Sequence, residues 1–258
     1  MLAYPGSTLV FVARTKSPEE WKAVTSAIST LVDEATFEAT VEGISFRGMD
    51  PSHVALIDIQ WPNSTFDVYE CDSSIKFGVR VDEFSKLIKR GDKKDQVEIS
   101  VTDDSKLVIK LSNGYKREYR MRLIESSSSS TPLPKLNFNS KIVLTAGAFD
   151  KILSDIQVVS EYISLQTDSN KVNFSGKGDS GEAEIVLASG NEGLEDLTIK
   201  ESSTATYSLD YLSKITKAIG AVGSSIAAEY SSKMPLRLEF RVASIGRIHF
   251  YLAPRVQD

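Results

Sequence analysis

The sequence predicts an α+β fold written twice, as two duplicated domains of antiparallel sheets with two helices each. Three observations carry this. VDEFSKLIKRG, from Val81 to Gly91, returns as LDYLSKITKAIG from Leu209, with Lys86 and Lys214, Lys89 and Lys217, Asp82 and Asp210, and Ser85 and Ser213 all 128 positions apart. The same spacing relates two other segment pairs and an offset of 128 or 129 a third, and a shared offset across separate segments marks an internal duplication rather than a coincidence of apolar patterns. Between the halves, RLIESSSSSTPLPKLNFNSK has no hydrophobic period, and its serines and prolines are a linker's.

Taken in order, WKAVTSAISTLVDEATFEA from Trp21 lies over FDKILSDIQVVSEYISLQT from Phe149, with Trp21 on Phe149, Val24 on Ile152, Ile28 on Ile156 and Phe37 on Leu165. Each is a helix-period pattern that runs into a strand. ISFRGMDPSHVALIDI from Ile44 lies over VNFSGKGDSGEAEIVL from Val172, pairing Phe46 with Phe174, Gly48 with Gly176 and Ile57 with Ile185, as two alternating strands joined by a turn. The repeated Asp-Ser-Lys helix follows in each half. VEISV then KLVIKL, and SIAAEY then PLRLEF, add a hairpin to each half. The expected division is 1–124 for the first domain, 125–136 for the linker and 137–258 for the second.

Composition narrows the function classes. At 258 residues, 41% hydrophobic and 25% charged, the chain has the balance of a folded soluble protein. Its apolar runs fall short of the ~20 residues a bilayer helix needs, and its N-terminus lacks a basic region followed by a long apolar one, so an intracellular protein without a targeting signal is expected. A single cysteine, Cys71, excludes an intrachain disulfide and disfavours a thiolate metal site, and His53 and His249 are the only imidazoles. Neither a cofactor nor a metal is expected. A net charge of −5 argues against coating nucleic acid with bulk positive charge, so any DNA-binding cations must be gathered on one face.

The helices show such faces. At 100° per residue, Phe84, Leu87 and Ile88 gather on one side of the second helix and Lys86, Lys89 and Arg90 about the other. The fourth helix repeats this, with Leu212, Ile215 and Ile219 opposite Lys214 and Lys217. Lysines opposite a core stripe are ordinary solvated surface, but two copies at equivalent positions in an acidic protein favour a shared role. Lys22 flanks the apolar stripe of the first helix, and Lys151 lies opposite that of the third; these two do not superpose under the repeat.

ATFEATVEGISFRGMDPSHVALIDI, YECDSSIKFGVRVDEFSKLIK, YLSKITKA and the terminal FYLAPRVQD together resemble sliding clamps of the proliferating cell nuclear antigen family, and among them an archaeal member. The resemblance covers nearly the whole chain beyond about Val10. GMDPSHVAL and YLAPRV, at opposite ends of an internal duplication, make it specific. It implies the DNA clamp fold, with three two-domain subunits closed into a ring that encircles duplex DNA without reading its sequence. Such a ring has no catalytic residues and tethers DNA polymerase and other replication and repair enzymes. Whether three identical chains or related ones close the ring is left open by the residues. An archaeal member would act in the cytoplasm beside the nucleoid, a eukaryotic one in the nucleus.

By matching position, the resemblance implies DNA-facing Lys22, Lys86, Lys89, Lys151, Lys214 and Lys217, with Arg90 added on helical geometry. Ser29, Ser154 and Val158 depart from it, standing where relatives often carry basic residues or His. It implies a hydrophobic partner-peptide pocket of Met49, His53, Val54, Leu56, Pro235, Tyr251, Ala253, Pro254 and Val256, taking short hydrophobic peptides of the polymerase, clamp loader, flap nuclease and ligase. Ser126 to Ser130 depart from the aliphatic residues usual in the linker, which leaves Ile124 and Leu133 as replacements. Subunit contact is expected between an edge strand near Tyr115 and Tyr119 and one near Val172, Phe174 and Lys177. Singly, these apolar residues also suit core or tail positions.

Two other classes compete. GDSG within GKGDSGE resembles the nucleophile loop of chymotrypsin-like proteases, and His53, Asp104 and Ser180 follow that order. Glu182 replaces the following glycine, however, and a hairpin turn explains Ser180. GKGDSG also lacks the spacing of a phosphate-binding loop. The remaining alternative is a two-domain scaffold that binds partner peptides independently of DNA.

Overall fold

A computed structural model describes residues 2–4, 7–126, 131–220, 223–242 and 246–256. The serines at 127–130, within the expected linker, and the last two residues of FYLAPRVQD lie outside them. In chain order the elements are β1 (Leu2–Tyr4), β2 (Ser7–Thr15), α1 (Glu19–Ser29), β3 (Glu34–Thr40), β4 (Gly43–Met49), β5 (Ala55–Pro62), β6 (Val68–Glu70), β7 (Ile75–Arg80), α2 (Val81–Ile88), β8 (Gln96–Thr102), β9 (Lys106–Asn113) and β10 (Tyr115–Arg122). There follow β11 (Ser140–Thr145), α3 (Ala146–Gln157), β12 (Tyr162–Asp168), β13 (Lys171–Gly178), β14 (Gly181–Ala188), β15 (Leu194–Ile199), β16 (Ser203–Ser208), α4 (Leu209–Ile219), β17 (Ser225–Tyr230), β18 (Leu236–Val242) and β19 (Gly246–Leu252).

The duplication is visible element by element. Under the repeat spacing β3 falls on β12, β7 on β16, and the first residue of α2 on the first residue of α4. The chain forms two compact units, Met1–Met49 with Ile57–Thr131 and Arg241–Ile248, and Asp50–Leu56 with Pro132–Phe240 and His249–Asp258. In the first unit β1-β2-β8-β9-β10 form one sheet, with β6 also on β2, and β4-β3-β7 run side by side in another. In the second, β14-β13-β12-β16 form one sheet and β11 lies between β15 and β17.

Period-2 burial explains the strands. Ala35, Phe37 and Ala39 of β3 point inward while the residues between them stay half-exposed, and Ile163, Leu165 and Thr167 do the same in β12. Trp21, Val24, Ala27 and Ile28 of α1 meet this core, where Trp21 packs against Phe37 at 6.4 Å and Phe84 at 5.7 Å between ring centroids. The second core centres on Phe149, Ile156, Phe174, Leu212 and Ile215. Trp21 and Phe149, Val24 and Ile152, Ile28 and Ile156, and Phe37 and Leu165 thus occupy equivalent core sites, whereas Ile57 is buried and its expected counterpart Ile185 only half-buried.

Topology corrects the expected subunit edge in the second half. Strand β13 pairs with β12 on one side and β14 on the other, so it has no free edge, and Val172 and Phe174 are fully buried core side chains. The terminal strand is β14. Its repeat partner runs through VALIDI, where continuous burial hides which member of the hairpin ends a sheet. Tyr115 and Tyr119 do lie on a terminal strand, β10, paired with β9 alone.

Candidate functional site

Charge on the helices is arranged more specifically than the pattern of lysines predicts. Helix α2 buries Val81, Phe84, Ser85 and Ile88, and α4 buries Leu209, Leu212, Ser213, Ile215, Thr216 and Ile219. Lys86, Lys89, Lys214 and Lys217 stand in solvent opposite those stripes. Lys86 Nζ lies 3.1 Å from Asp82 Oδ2, and Lys214 Nζ lies 2.7 Å from Asp210 Oδ2, the same i,i+4 pair in both halves. The bond from Lys86 holds the Asp82 carboxyl below its ordinary value. Lys22 is half-buried and pairs with Glu19 at 3.0 Å; Lys151 is exposed and lies 3.7 Å from Asp155. Among the described residues no ion pair holds Lys89 or Lys217. Arg90 lies past the helix, beyond the Lys89 C-cap, so helical geometry does not place its side chain; its carbonyl accepts from Arg117 at 2.9 Å.

The apolar site gathers in the second unit around a residue not expected there. Asp50, 4% exposed, accepts from the backbone N–H of Ser52 at 3.2 Å, Val54 at 2.8 Å and Ala55 at 2.7 Å, and from the Tyr211 hydroxyl at 2.8 Å. Burial alone would raise the Asp50 pKa, but these donors outweigh it and hold the carboxyl below its usual range. They fix a tight loop in which His53 takes the left-handed φ of 58° and stands exposed. Only the short DPSH segment hinted at this anchor, since Asp before Pro and Ser is turn chemistry.

The C-terminal chain docks beside that loop. Ala253 N–H donates to the Val54 carbonyl at 2.9 Å and Arg255 N–H to the Thr206 carbonyl at 2.7 Å, so the tail runs on as extended chain against β16. The Arg255 guanidinium sits 3.9 Å from the Tyr162 ring centroid. Val54, Pro235, Ala253 and Pro254 are half-buried and Val256 is exposed, whereas Leu56 and Tyr251 are buried and offer little surface. Tyr207, beneath, donates to the Met234 carbonyl at 2.7 Å. Leu133 is 37% exposed. Met49 belongs to the first compact unit.

Ile124, just before the expected linker, and Thr131, within it, both belong to the first unit. Ile124 N–H donates to the Gly78 carbonyl at 2.9 Å, and a Cβ at Gly78 would come within 2.8 Å of the Ile124 carbonyl, so the close approach needs glycine. The Thr131 carbonyl accepts from Arg47 at 3.1 Å, and Arg47 is itself held by buried Asp58 at 2.7 Å.

Among the described residues His53, Asp104 and Ser180 are not joined into a triad. Asp179 and Ser180 form the turn between paired Gly178 and Gly181, Asp104 is tied to Lys106, and no side-chain hydrogen bond joins Ser180 and His53 among the described residues. Nor, among those residues, does any group of three His, Cys, Asp or Glu side chains come together to hold a metal. Among the described residues no helix is long and apolar enough to cross a membrane.

Comparison with known proteins identifies the family. The family described as "Proliferating cell nuclear antigen, N-terminal domain" matches residues 10–128, and its C-terminal counterpart matches 132–255. The chain is 60% identical to the DNA polymerase sliding clamp of Nitrosopumilus maritimus over 250 residues, covering 97% of this chain and all of that one. Against the DNA polymerase sliding clamp of Cenarchaeum symbiosum it is 57% identical with the same coverage. Among solved structures, PCNA from Thermococcus kodakaraensis superposes with a TM-score of 0.91 at 26% identity, over 95% of this chain and all of that one.

Proposed function

The chain belongs to the proliferating cell nuclear antigen family of DNA polymerase sliding clamps, and from that premise we propose that it holds duplex DNA through the cations of its repeated helices. It is a DNA polymerase sliding clamp, a non-enzymatic processivity factor of DNA replication. DNA and a polymerase are its partners, and it works inside the cell. The finer reading has the two halves, divided within 125–136, presenting Lys86 and Lys89, and Lys214 and Lys217, to phosphates at each domain of a ring. One observation carries it: the two helices bear their lysines at the same register, exposed, opposite equivalent buried stripes.

Lysine suits this work because it is a mobile point charge that attracts phosphate oxygens without reading bases. Contact is then independent of sequence and weakened by salt. A tethered polymerase that releases its template stays at high effective concentration and rebinds. The experiment is charge reversal. Lys86→Glu with Lys214→Glu should lower clamp-dependent DNA synthesis more than Lys171→Glu does; equal losses would remove the helices from the model.

Ring closure follows from the two terminal strands. Strand β10 carries Lys116, Arg117, Arg120 and Arg122 against one acid, Glu118, while β14 carries Glu182 and Glu184 with no base. Each also shows an exposed apolar residue, Tyr115 on β10 and Val186 on β14. Opposite charges on unpaired edges favour head-to-tail pairing of β10 with β14 of the next copy, which closes when the rotation divides a full turn. Three identical copies are proposed. Polymerase, clamp loader, flap nuclease and ligase peptides are proposed to dock between the Asp50 loop and the C-terminal chain. There Val54, Pro235, Ala253 and Pro254 supply apolar surface, and extended backbone offers further bonds. Cytoplasmic action beside the nucleoid fits the archaeal relatives.

A further inference from the structure

On each of the four helices one lysine is already engaged by an acid of its own helix: Lys22 by Glu19, Lys86 by Asp82, Lys151 by Asp155 and Lys214 by Asp210. Of the six lysines proposed to face DNA, only Lys89 and Lys217 lack such a partner among the described residues. We propose that Asp82 and Asp210 are attenuators of DNA grip: each holds its lysine in a pair that phosphate must compete for, leaving Lys89 and Lys217 as the principal phosphate contacts. The inference rests on the helix-face reading above.

The pairs are poor candidates for a purely structural device. In α2 the side chains of Lys86 and Asp82 are 75% and 65% exposed, and in α4 those of Lys214 and Asp210 are 60% and 64% exposed. Exposed pairs of this kind contribute little to stability. Yet among the described residues this is the one ion pair that recurs at matched positions in both halves, while the acids around Lys22 and Lys151 follow no common register. Both Asp residues also sit in a first helical turn, where a carboxylate complements the helix dipole, and Arg80 and Ser208 provide no side-chain cap. A dipole role accounts for an acid near the N-terminus. It does not account for a lysine placed four residues on in each copy.

A function follows from the counterion physics. Each lysine that neutralises a phosphate releases condensed cations and steepens the dependence of affinity on salt. A lysine that must leave a carboxylate first contributes less to affinity and to that slope. A clamp gains from this, since a grip that is too firm opposes sliding.

The test is equilibrium binding of the assembled protein to a labelled linear duplex across a salt series, with thermal melting and solution mass measured for each variant. For Asp82→Asn with Asp210→Asn we expect tighter binding at low salt and a log–log slope steeper by up to about 1 per lysine freed. Lys89→Gln with Lys217→Gln should lose more affinity than Lys86→Gln with Lys214→Gln, a comparison that stands even if the Asp variants assemble poorly. If the Asp variants change melting but neither slope nor affinity, while Lys89 and Lys217 still matter, attenuation is wrong and the helix-face reading survives. If none of the lysine variants alters binding, both fall together.

Discussion

At the residue scale, Asp50 decides whether the loop of the proposed peptide site keeps its shape. Three backbone N–H groups and the Tyr211 hydroxyl converge on one buried carboxylate. Asp50→Ala leaves those donors without an acceptor, at a cost of about 1–3 kcal/mol. The expected result is a lower melting temperature and weaker binding of a labelled hydrophobic partner peptide, with DNA affinity unchanged. The pH dependence has a definite sign. Because the folded-state pKa of Asp50 is depressed, its contribution is complete above the ordinary carboxylate value of about 3.9 and disappears as pH falls through the lower folded value. Peptide affinity should therefore show no loss attributable to Asp50 between neutrality and about pH 5, and should fall only in stronger acid. Burial and then the bond to Asp50 raise the Tyr211 pKa, so its hydroxyl remains a donor on the alkaline side as well. An affinity that already halves near pH 6 would mean that a group other than Asp50 governs the site.

At the element scale, legibility followed periodicity. Helices α2 and α4 and the strand–helix units around Trp21 and Phe149 could be read because a one-sided core imposes a period on the sequence. The terminal strand of the second unit could not. VNFSGKG and GEAEIVL are both alternating, and which one lies outermost is set by tertiary pairing that leaves no mark on either. Arg90 stands outside that period: α2 ends at Ile88 with Lys89 as its C-cap, although the charge pattern runs on to Arg90. Asp50 and Arg255 were missed because a loop carboxylate and a tail guanidinium show their partners only once the chain is folded. The corrected edge makes a prediction. Glu182→Lys with Glu184→Lys sets lysines on β14 against the bases of β10, and should shift solution mass toward the single chain, whereas Val172→Ala, inside the core, should lower melting temperature first. If the charge swap leaves the assembly intact at low salt, β14 is not the joining strand.

At the scale of the whole molecule, function separates affinity from retention. An acidic chain of net charge −5 is repelled by DNA in bulk, and the helices offset this locally with cations, several of them already paired. The energy available for holding DNA by charge is therefore small and screened beyond about 8 Å at physiological salt. Long residence must come from enclosure if it occurs at all. That gives an outcome which separates a ring from a two-domain scaffold acting by its peptide site alone. Loaded onto nicked circular DNA and washed at high salt, a ring stays; after a single cut it runs off the free ends, and a block at both ends restores it. A scaffold would wash off all three substrates alike. The attenuating pairs sharpen the expectation, because Asp82→Asn with Asp210→Asn should slow run-off at low salt and leave retention on the circle unchanged. Retention that depends on those residues even on the uncut circle would mean that charge, not closure, holds the protein in place.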